Sequence, residues 1–492
     1  MNFPAARTGS IAAAMMPEAF LQAVEMQLGP KGFTRAAEEI APWLTDWRGR
    51  YRGSALAMAS PASTEQVAAV VRLCAEHRVR IVPQGGNTSM VGGATPDASG
   101  TALILSLRRM NRIRRLDAAA GLAIAEAGVV LTTLHEAAAE QGARFPLSLG
   151  AKGSATIGGL CSTNAGGTQV LRFGTMRSLV LGLEAVLPDG SILDSLAPLK
   201  KDNRGPDLKQ LLIGAEGTLG IITAATLQLV PLPQDVTTAW IGTGSPHSAL
   251  LLLRRLEAAG LAVESFELVP QDSLELVLRH IPGTRAPLTT APAWNALVEV
   301  TGAAGLKAQL ESELADALEA GLASDAVIAG GQAQASAFWR IRESISEAER
   351  ANGPAVQHDI SVPVDAMPGF MVSAAAEVER AFRGTSASAF GHLGDGNVHF
   401  HVRAPADAEA ERWIAEAGKP ISAFVYDLVV AAGGSISAEH GIGQMKLGEF
   451  ARLSDPPRLN ALRALKAAFD PLGIMNPGKL IPPSLASGAA AP

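Results

Sequence analysis

The sequence predicts an α+β protein of two successive main domains, and three observations carry that prediction. Strand-like and helix-like segments alternate through the first half of the 492-residue chain. Pro231 and Pro233 then interrupt the pattern at a domain boundary. From about residue 236 the alternation restarts, with long amphipathic helices between strands, as in an antiparallel sheet covered by helices on one face. The length allows more than one hydrophobic core. The expected units are an N-terminal helical segment (1–44), a first domain (45–235), a second domain (236–450) and a closing helix and tail (451–492).

The elements follow in order. "SALAMAS" reads as a strand. After Pro61, Ser63 with Gln66 three residues later makes a capping box, and Val67, Val70, Val71 and Cys74 repeat with helical spacing. "VRIVP", "TALILSL" and "LAIAEAG" are strands, and "LTTLHEAAAEQG" is a helix. "LGLEAVLPDGSIL" is hairpin-like, "DLKQLLIG" is a helix, and "IITAATLQLVPLP" is a strand running to the boundary. In the second half "SALLLLRRLEAAG", "LKAQLESELADALEAG" and "SAFWRIRESISEAER" are helical, while "AVESFELV" and "ALVEVTG" are strands. "LNALRALKAAFDPLGIMNPGKL" is an amphipathic helix followed by a Pro/Gly tail.

Composition narrows the function. The net charge is −6, and Lys and Arg never run longer than a pair, which argues against nucleic acid as a partner. No apolar run approaches the ~18 residues of a membrane span. The N-terminus is a poor signal or transit peptide, and two cysteines, Cys74 and Cys161, are no disulfide framework. Together these features lead to the expectation of a cytoplasmic protein.

"GHLGDGNVHFHV", residues 391–402, concentrates three of the nine histidines. Gly394–Asn397 is a turn sequence, and Val398, Phe400 and Val402 alternate with His399 and His401. Folded on a four-residue loop of Gly394–Asn397, His392 would directly oppose His399, with Cβ atoms ~5 Å apart. That spacing suits two ligands of one metal ion. "SISAEHGIG" supplies an adjacent carboxylate and imidazole, Glu439 and His440. Two His and one carboxylate form the ligand set of a catalytic zinc, and equally of a non-haem iron. Alone, Glu439-His440 would more simply be a helix cap.

Three glycine-rich loops, Gly85–Gly93, Gly158–Gly167 and Glu216–Gly220, each lie beside a strand. Such loops expose backbone N–H groups to an anion, and three in one domain point to one large phosphate-bearing cofactor. Neither G-x-x-x-x-G-K-[ST] nor a G-x-G-x-x-G opening a helix is present, which disfavours P-loop and Rossmann sites.

"VPQGGNTSMVGG", "GSATIGGLCSTNAGG", "LRFGTMRSLVLGLEAVLPDG" and "DLKQLLIGAEGTLGIITAATLQLVPLP" resemble the FAD-binding domain of the vanillyl-alcohol-oxidase superfamily. "FWRIRE", "HDISVPV", "GHLGDGNVHFHV", "SAEHGIG" and "FDPLGIMNPGKL" resemble its D-2-hydroxy-acid dehydrogenase branch, which includes D-lactate and D-2-hydroxyglutarate dehydrogenases. The resemblance spans roughly residues 45 to 480 in the same order, and "PQGGNT" and "LKQLLIGAEGTLGIITAA" look closest to D-2-hydroxyglutarate dehydrogenases.

The resemblance implies a two-subdomain FAD-binding domain followed by an α+β substrate-binding cap. It also implies roles for matching positions. Pro83, Gly85, Gly86, Asn87, Thr88, Ser89 and Gly92 would hold the FAD pyrophosphate. Pro146, Gly150, Thr156, Gly158, Gly159, Asn164, Ala165, Gly166 and Gly167 would line the flavin. Glu216, Gly217, Gly220 and Ile222 would flank the adenosine side, and Asn476 would return to the cofactor. His392, His399 and Glu439 would bind zinc or manganese, and His440 would be the catalytic base. Arg342 and Ser346, four apart on one helical face, would face the substrate carboxylate. Two positions depart from the family pattern where substrate is expected: Gln357 stands where relatives usually carry Lys, and His401 where they often carry Asn.

The implied reaction is oxidation of a D-2-hydroxy acid to the 2-oxo acid with FAD as hydride acceptor. A divalent metal would act as Lewis acid and His440 as base. D-2-hydroxyglutarate is the expected substrate and D-lactate the next. An electron acceptor (quinone, cytochrome or electron-transfer flavoprotein) would be a partner, and a homodimer is a further expectation. The neutral Gln357 predicts a weaker clamp than lysine gives. A flavin oxidase of alcohols or sugars and a metal-binding subunit with a degenerate flavin site are the rival readings; the histidine hairpin argues against the first.

Overall fold

A computed structural model describes residues 8–483, with side chains from residue 18 onward. A helix, Thr8–Leu28, precedes the first sheet and packs Phe20, Leu21 and Val24 onto it. That sheet holds β1 (Phe33–Thr34), β2 (Ala57–Ala59), β3 (Arg80–Gln84) and β4 (Ala102–Ser106) in the order β1-β2-β4-β3. β2 and β3 both run parallel to β4, and β1 runs antiparallel to β2. The helix Thr64–His77 crosses between β2 and β3 and buries Val67, Val70, Val71 and Cys74, the stripe its spacing predicts. Ser63 caps it by accepting from the Gln66 N–H at 3.3 Å, whereas the Gln66 side chain reaches the N–H of Ala62 instead of closing the box on Ser63.

The second sheet is antiparallel. It contains β5 (Ile113–Asp117), β6 (Leu122–Glu126), β8 (Val180–Val186), β9 (Ile192–Ser195) and β10 (Ile221–Gln228), in the order β5-β6-β10-β8-β9. β8 and β9 form the hairpin expected from "LGLEAVLPDGSIL". A short β7 (Ala143–Arg144) pairs with β11 (Val230–Pro231), which includes the first of the two boundary prolines. The C-terminal tail returns to the first sheet: Ile81 donates to Ile474, and Asn476 donates back to Ile81.

The third sheet has seven strands: β12 (Asp235–Thr243), β13 (Ala262–Pro270), β14 (Trp294–Gly302), β15 (Asp325–Ile328), β16 (Ala355–Ser361), β17 (Ser386–His392) and β18 (Asn397–Arg403). Their order is β15-β12-β14-β13-β17-β18-β16, antiparallel throughout. The sheet is covered on both faces, not on one as expected. Ala239, Ile241, Val298 and Val300 pack under the helices Pro246–Ala258 and Leu306–Glu319. Trp240, Leu297, Val269 and Phe390 point the other way and pack on Phe338, Ile341 and Ile345. Alternate residues of β12 are thus apolar on both sides, which only a sheet buried on both faces requires.

Two local expectations are corrected. The helix expected over "SAFWRIRESISEAER" is two helices, Gln332–Glu343 and Ile345–Asn352, which meet at Ser344. Arg342 and Ser346 therefore do not share one helical face. The β17–β18 hairpin turns on Leu393–Gly396, so His392 pairs with Asn397 and His399 with Phe390. Gly396, at φ 81°, supplies the left-handed residue of the turn, and a Cβ there would meet the Val362 carbonyl at 2.1 Å. This two-residue change of register keeps every side chain on its expected face, so His392 and His399 remain neighbours, diagonally rather than directly opposed.

Candidate active site

The loops at the ends of the first two sheets and one face of the third enclose a cavity of about 960 Å³. Its walls include Pro83, Gly85, Gly86, Asn87, Thr88, Ser89, Gly150, Thr156, Gly158, Gly159, Ala165, Gly166, Glu216, Gly217, Gly220 and Ile222 from the first half. From the second half come Ser346, Gln357, His399, His401, Glu439 and His440. Both halves of the expected site thus meet in one space large enough for a dinucleotide and a small acid.

The glycines serve two different purposes there. A Cβ on Gly86 would lie 1.8 Å from the Ser154 carbonyl, and one on Gly85 2.2 Å from the Thr156 hydroxyl. These two are glycine because the first and second loops touch, not to admit an anion. Gly150 and Gly153 line the cavity with open space where a Cβ would be. The Thr156 hydroxyl, also on the wall, is buried without a hydrogen-bond partner. Bare backbone plus an orphaned hydroxyl fits the polar part of FAD.

Gly92, Pro146, Asn164, Gly167, Asn476 and His392 are not on the cavity wall, and contacts of most of them explain why. Asn164 (φ 50°) ends the helix Ile157–Thr163 and accepts from the Arg177 N–H at 2.9 Å. Gly167 packs against the Ser148 carbonyl, and Gly92 lies under Gln444 and Tyr51. Asn476 donates to the carbonyls of Gly93 and Glu216, at 3.0 and 2.7 Å, so it ties two loops together. The Glu216 carboxylate accepts from the N–H groups of Ile442 and Gly443 at 2.7 and 2.8 Å. It holds the segment after Glu439-His440 in place, a role the sequence did not reveal. Asn87 similarly donates to the Thr45 carbonyl at 2.9 Å and anchors the 45–52 loop.

On the sheet face, donor atoms of His392, His399 and Glu439 lie within 4.8 Å of one another, and the two imidazole centroids are 5.6 Å apart. Donor atoms of a second trio, Asp359, Glu439 and His440, also lie within 4.8 Å of one another. The Asp359 oxygens are already engaged, however. One accepts from the N–H groups of Glu439 and His440 at 3.0 and 2.9 Å, and the other from the Asn397 amide at 2.8 Å. The first trio has the open donors. His392 Nδ1 is 2.6 Å from Glu267, which leaves Nε2 for a cation, the usual way an outer carboxylate orients a metal-binding imidazole.

The two trios differ in their charges, and a cation on the first would have to displace the protons that His392 and Glu439 favour without it. Burial would lower His392, but Glu267 overrides it and raises the imidazole to about 9. Burial pushes Glu439 up to about 7. Burial would also raise Asp359, yet His440, Lys446 and His399 hold it well below the usual carboxylate range. His440 is lowered by burial against the opposing pull of Asp359, which favours the neutral ring that a base needs.

Arg342 is placed differently from expectation. Its guanidinium is buried, donates to Glu267 at 2.8 Å and covers the Phe390 ring, and it is not among the side chains lining the cavity. The break at Ser344 separates it from Ser346, which does line the wall. His401 also lines the wall but is bonded to Glu349. Arg48, Arg50, Arg350 and Lys446 are wall residues that no motif indicated. Glu267 and Lys446 stood in no quoted site motif, and Asp359, though within "HDISVPV", had no assigned role, because each acts through tertiary contact.

Comparison with known proteins agrees on the family. A model described as FAD binding domain matches residues 55–195, and one described as FAD linked oxidases, C-terminal domain, matches residues 232–480. The chain is 38% identical over 463 residues to the mitochondrial D-2-hydroxyglutarate dehydrogenase of Arabidopsis thaliana, covering 94% of this chain and 81% of that protein. It is 38% identical over 451 residues to the mitochondrial enzyme of the same name from Bos taurus, covering 90% and 80%. The fold is also that of p-cresol methylhydroxylase with substrate bound, at a TM-score of 0.74 and 17% identity over 95% of this chain and 97% of that one. The architecture is therefore of vanillyl-alcohol-oxidase type. The expectation of a cytoplasmic protein is corrected by this comparison, since both curated relatives are mitochondrial. Among the described residues, no helix is long and apolar enough to cross a membrane.

Proposed function

This chain belongs to the family of FAD-linked D-2-hydroxy-acid dehydrogenases, and we propose that it oxidises D-2-hydroxyglutarate to the 2-oxo acid with the help of a divalent metal. The observation that carries the reading is that His399 and Glu439, two of the three residues of the His392–His399–Glu439 trio, and His440 line the cavity that the glycine-rich loops also line. FAD, when bound along those loops, supplies a hydride acceptor. His392, His399 and Glu439 would hold zinc or manganese, whose Lewis acidity eases loss of the hydroxyl proton. His440 takes that proton, and the N–H···Asp359 contacts fix where its ring stands. Glu267 and Arg342 together orient His392, so Arg342 acts as a positioning residue in this reading. Ser346, Gln357 and His401 present polar atoms to the acid. A separate acceptor, a quinone, cytochrome or electron-transfer flavoprotein, returns the cofactor to its oxidised form.

D-lactate is the second substrate reading, favoured only by the neutral Gln357. The test is steady-state turnover with an artificial electron acceptor. The reading predicts a higher kcat/KM for D-2-hydroxyglutarate than for D-lactate, loss of both activities after chelation, and recovery with zinc or manganese. Full activity in the metal-free flavoprotein would remove the metal from the proposal, and a D-lactate preference would replace the substrate.

A further inference from the structure

We propose that Arg48 determines specificity by binding the far carboxylate of a dicarboxylic 2-hydroxy acid, supplying from the 45–52 loop the positive charge that Gln357 lacks. The inference rests on the proposed function and names the group that reads the acid's length.

Arg48 lines the cavity together with Gln357, Ser346 and His440. Its Nη1 donates to Gln357 Oε1 at 2.9 Å, a contact between residues 309 positions apart that joins the N-terminal loop to β16. Its Nε is buried and has no partner. The nearby carboxylate, Asp46, is engaged by the N–H groups of Arg48 and Tyr51. Two more guanidiniums, Arg50 and Arg350, line the same cavity and repel Arg48, and burial, the larger effect, lowers it to about 10. A half-buried guanidinium with an unused donor and cationic neighbours calls for an anion.

The loop is rigid enough to measure distance. Thr45 pairs with Arg52 in an antiparallel bridge, Asp46 closes the turn, and Asn87 of the first glycine-rich loop and Gln84 at the end of β3 bind the Thr45 and Trp43 carbonyls. A planar fork on such a support suits a carboxylate better than a flexible ammonium would. The metal trio and His440 occupy the reacting end, so a second carboxylate several bonds away would meet Arg48. A monocarboxylic acid such as D-lactate would leave it unpaired.

The experiment uses the FAD-loaded, metal-loaded protein, its Arg48→Gln variant and the Arg48→Gln/Gln357→Lys double variant. Two readouts are taken: calorimetric binding of glutarate, a non-reacting dicarboxylate, and kcat/KM for D-2-hydroxyglutarate and D-lactate. Arg48→Gln should weaken glutarate binding and D-2-hydroxyglutarate kcat/KM about tenfold or more, the scale of one charge-assisted bond, with D-lactate little changed. The added lysine should restore much of the loss, which a merely structural role for Arg48 would not allow. Unchanged glutarate affinity in Arg48→Gln, or equal losses on both hydroxy acids, would overturn the inference. Arg48-dependent glutarate binding without flavin reduction by D-2-hydroxyglutarate would uphold the anion site while refuting the proposed reaction.

Discussion

His440 and His358, both within the cavity region, face opposite demands on a buried imidazole. His440 sits against Asp359 and, as the base of the proposed reaction, would accept a proton reversibly, so its replacement by Asn should lower kcat by ~100-fold or more with a smaller change in KM. Steady-state kinetics on the metal-replete flavoprotein would check this, and equal losses in both constants would mark a ligand or structural role instead. His358 must stay neutral. Its Nδ1 meets the Phe400 carbonyl, its Nε2 meets the Ser422 hydroxyl, and burial holds it down to about 3. The unfolded chain protonates the same ring near pH ~6.5. Stability from this group is therefore present above that pH and lost as pH falls from there toward 3. The Tm advantage of the native protein over His358→Gln should narrow between pH 7 and 4; a widening gap would contradict the assignment. The roles of single residues were only partly legible. His392, His399 and Glu439 stood in recognisable motifs, but Arg48 lies in "DWRGR", which has no motif, and its partner is 309 residues away.

The elements that matter most are the β17–β18 hairpin, the segment that carries Glu439-His440 and the glycine-rich loops. Removing both hairpin imidazoles in His392→Ala/His399→Ala should abolish bound metal and turnover while leaving the flavin absorption largely intact, because neither side chain belongs to the glycine-rich walls. Metal analysis and a visible spectrum of the purified variant decide it; retained metal would mean the site is elsewhere. The period-two pattern placed both histidines on the correct face, yet it could not distinguish registers differing by two residues, which leave the faces unchanged. The glycine-rich loops show the same limit. Their sequences announced close approach, but whether to a ligand or to another loop was fixed only by the Gly85–Thr156 and Gly86–Ser154 contacts. Glu216 illustrates coupling between elements: its change to Ala would strand the N–H groups of Ile442 and Gly443, each a loss of about 1–3 kcal/mol if left buried. Thermal melts should show that loss, and weaker metal retention should accompany it.

At the scale of the molecule, the site exists only where the two halves meet. Loops of the first two sheets line one side of the cavity, the seven-stranded sheet brings His399 and the later Glu439-His440 loop brings its pair to the other, and the 471–476 tail ties back to Ile81. The α+β class and the order of its parts were legible because amphipathic spacing is local. The covering of the third sheet on both faces was not, because an isolated strand such as "TTAWIGT" does not say what lies across it. An interface site also predicts about one non-covalently bound FAD per chain, released by acid precipitation, and a colourless folded preparation that takes up no FAD would refute that. The most direct measurement of the central claim is anaerobic stopped-flow mixing of the FAD- and metal-loaded protein with each enantiomer of 2-hydroxyglutarate. The account predicts rapid bleaching of the flavin by the D-enantiomer, appearance of the 2-oxo acid, and little or no bleaching by the L-enantiomer. Faster reduction by the L-enantiomer, or none by either, would contradict it.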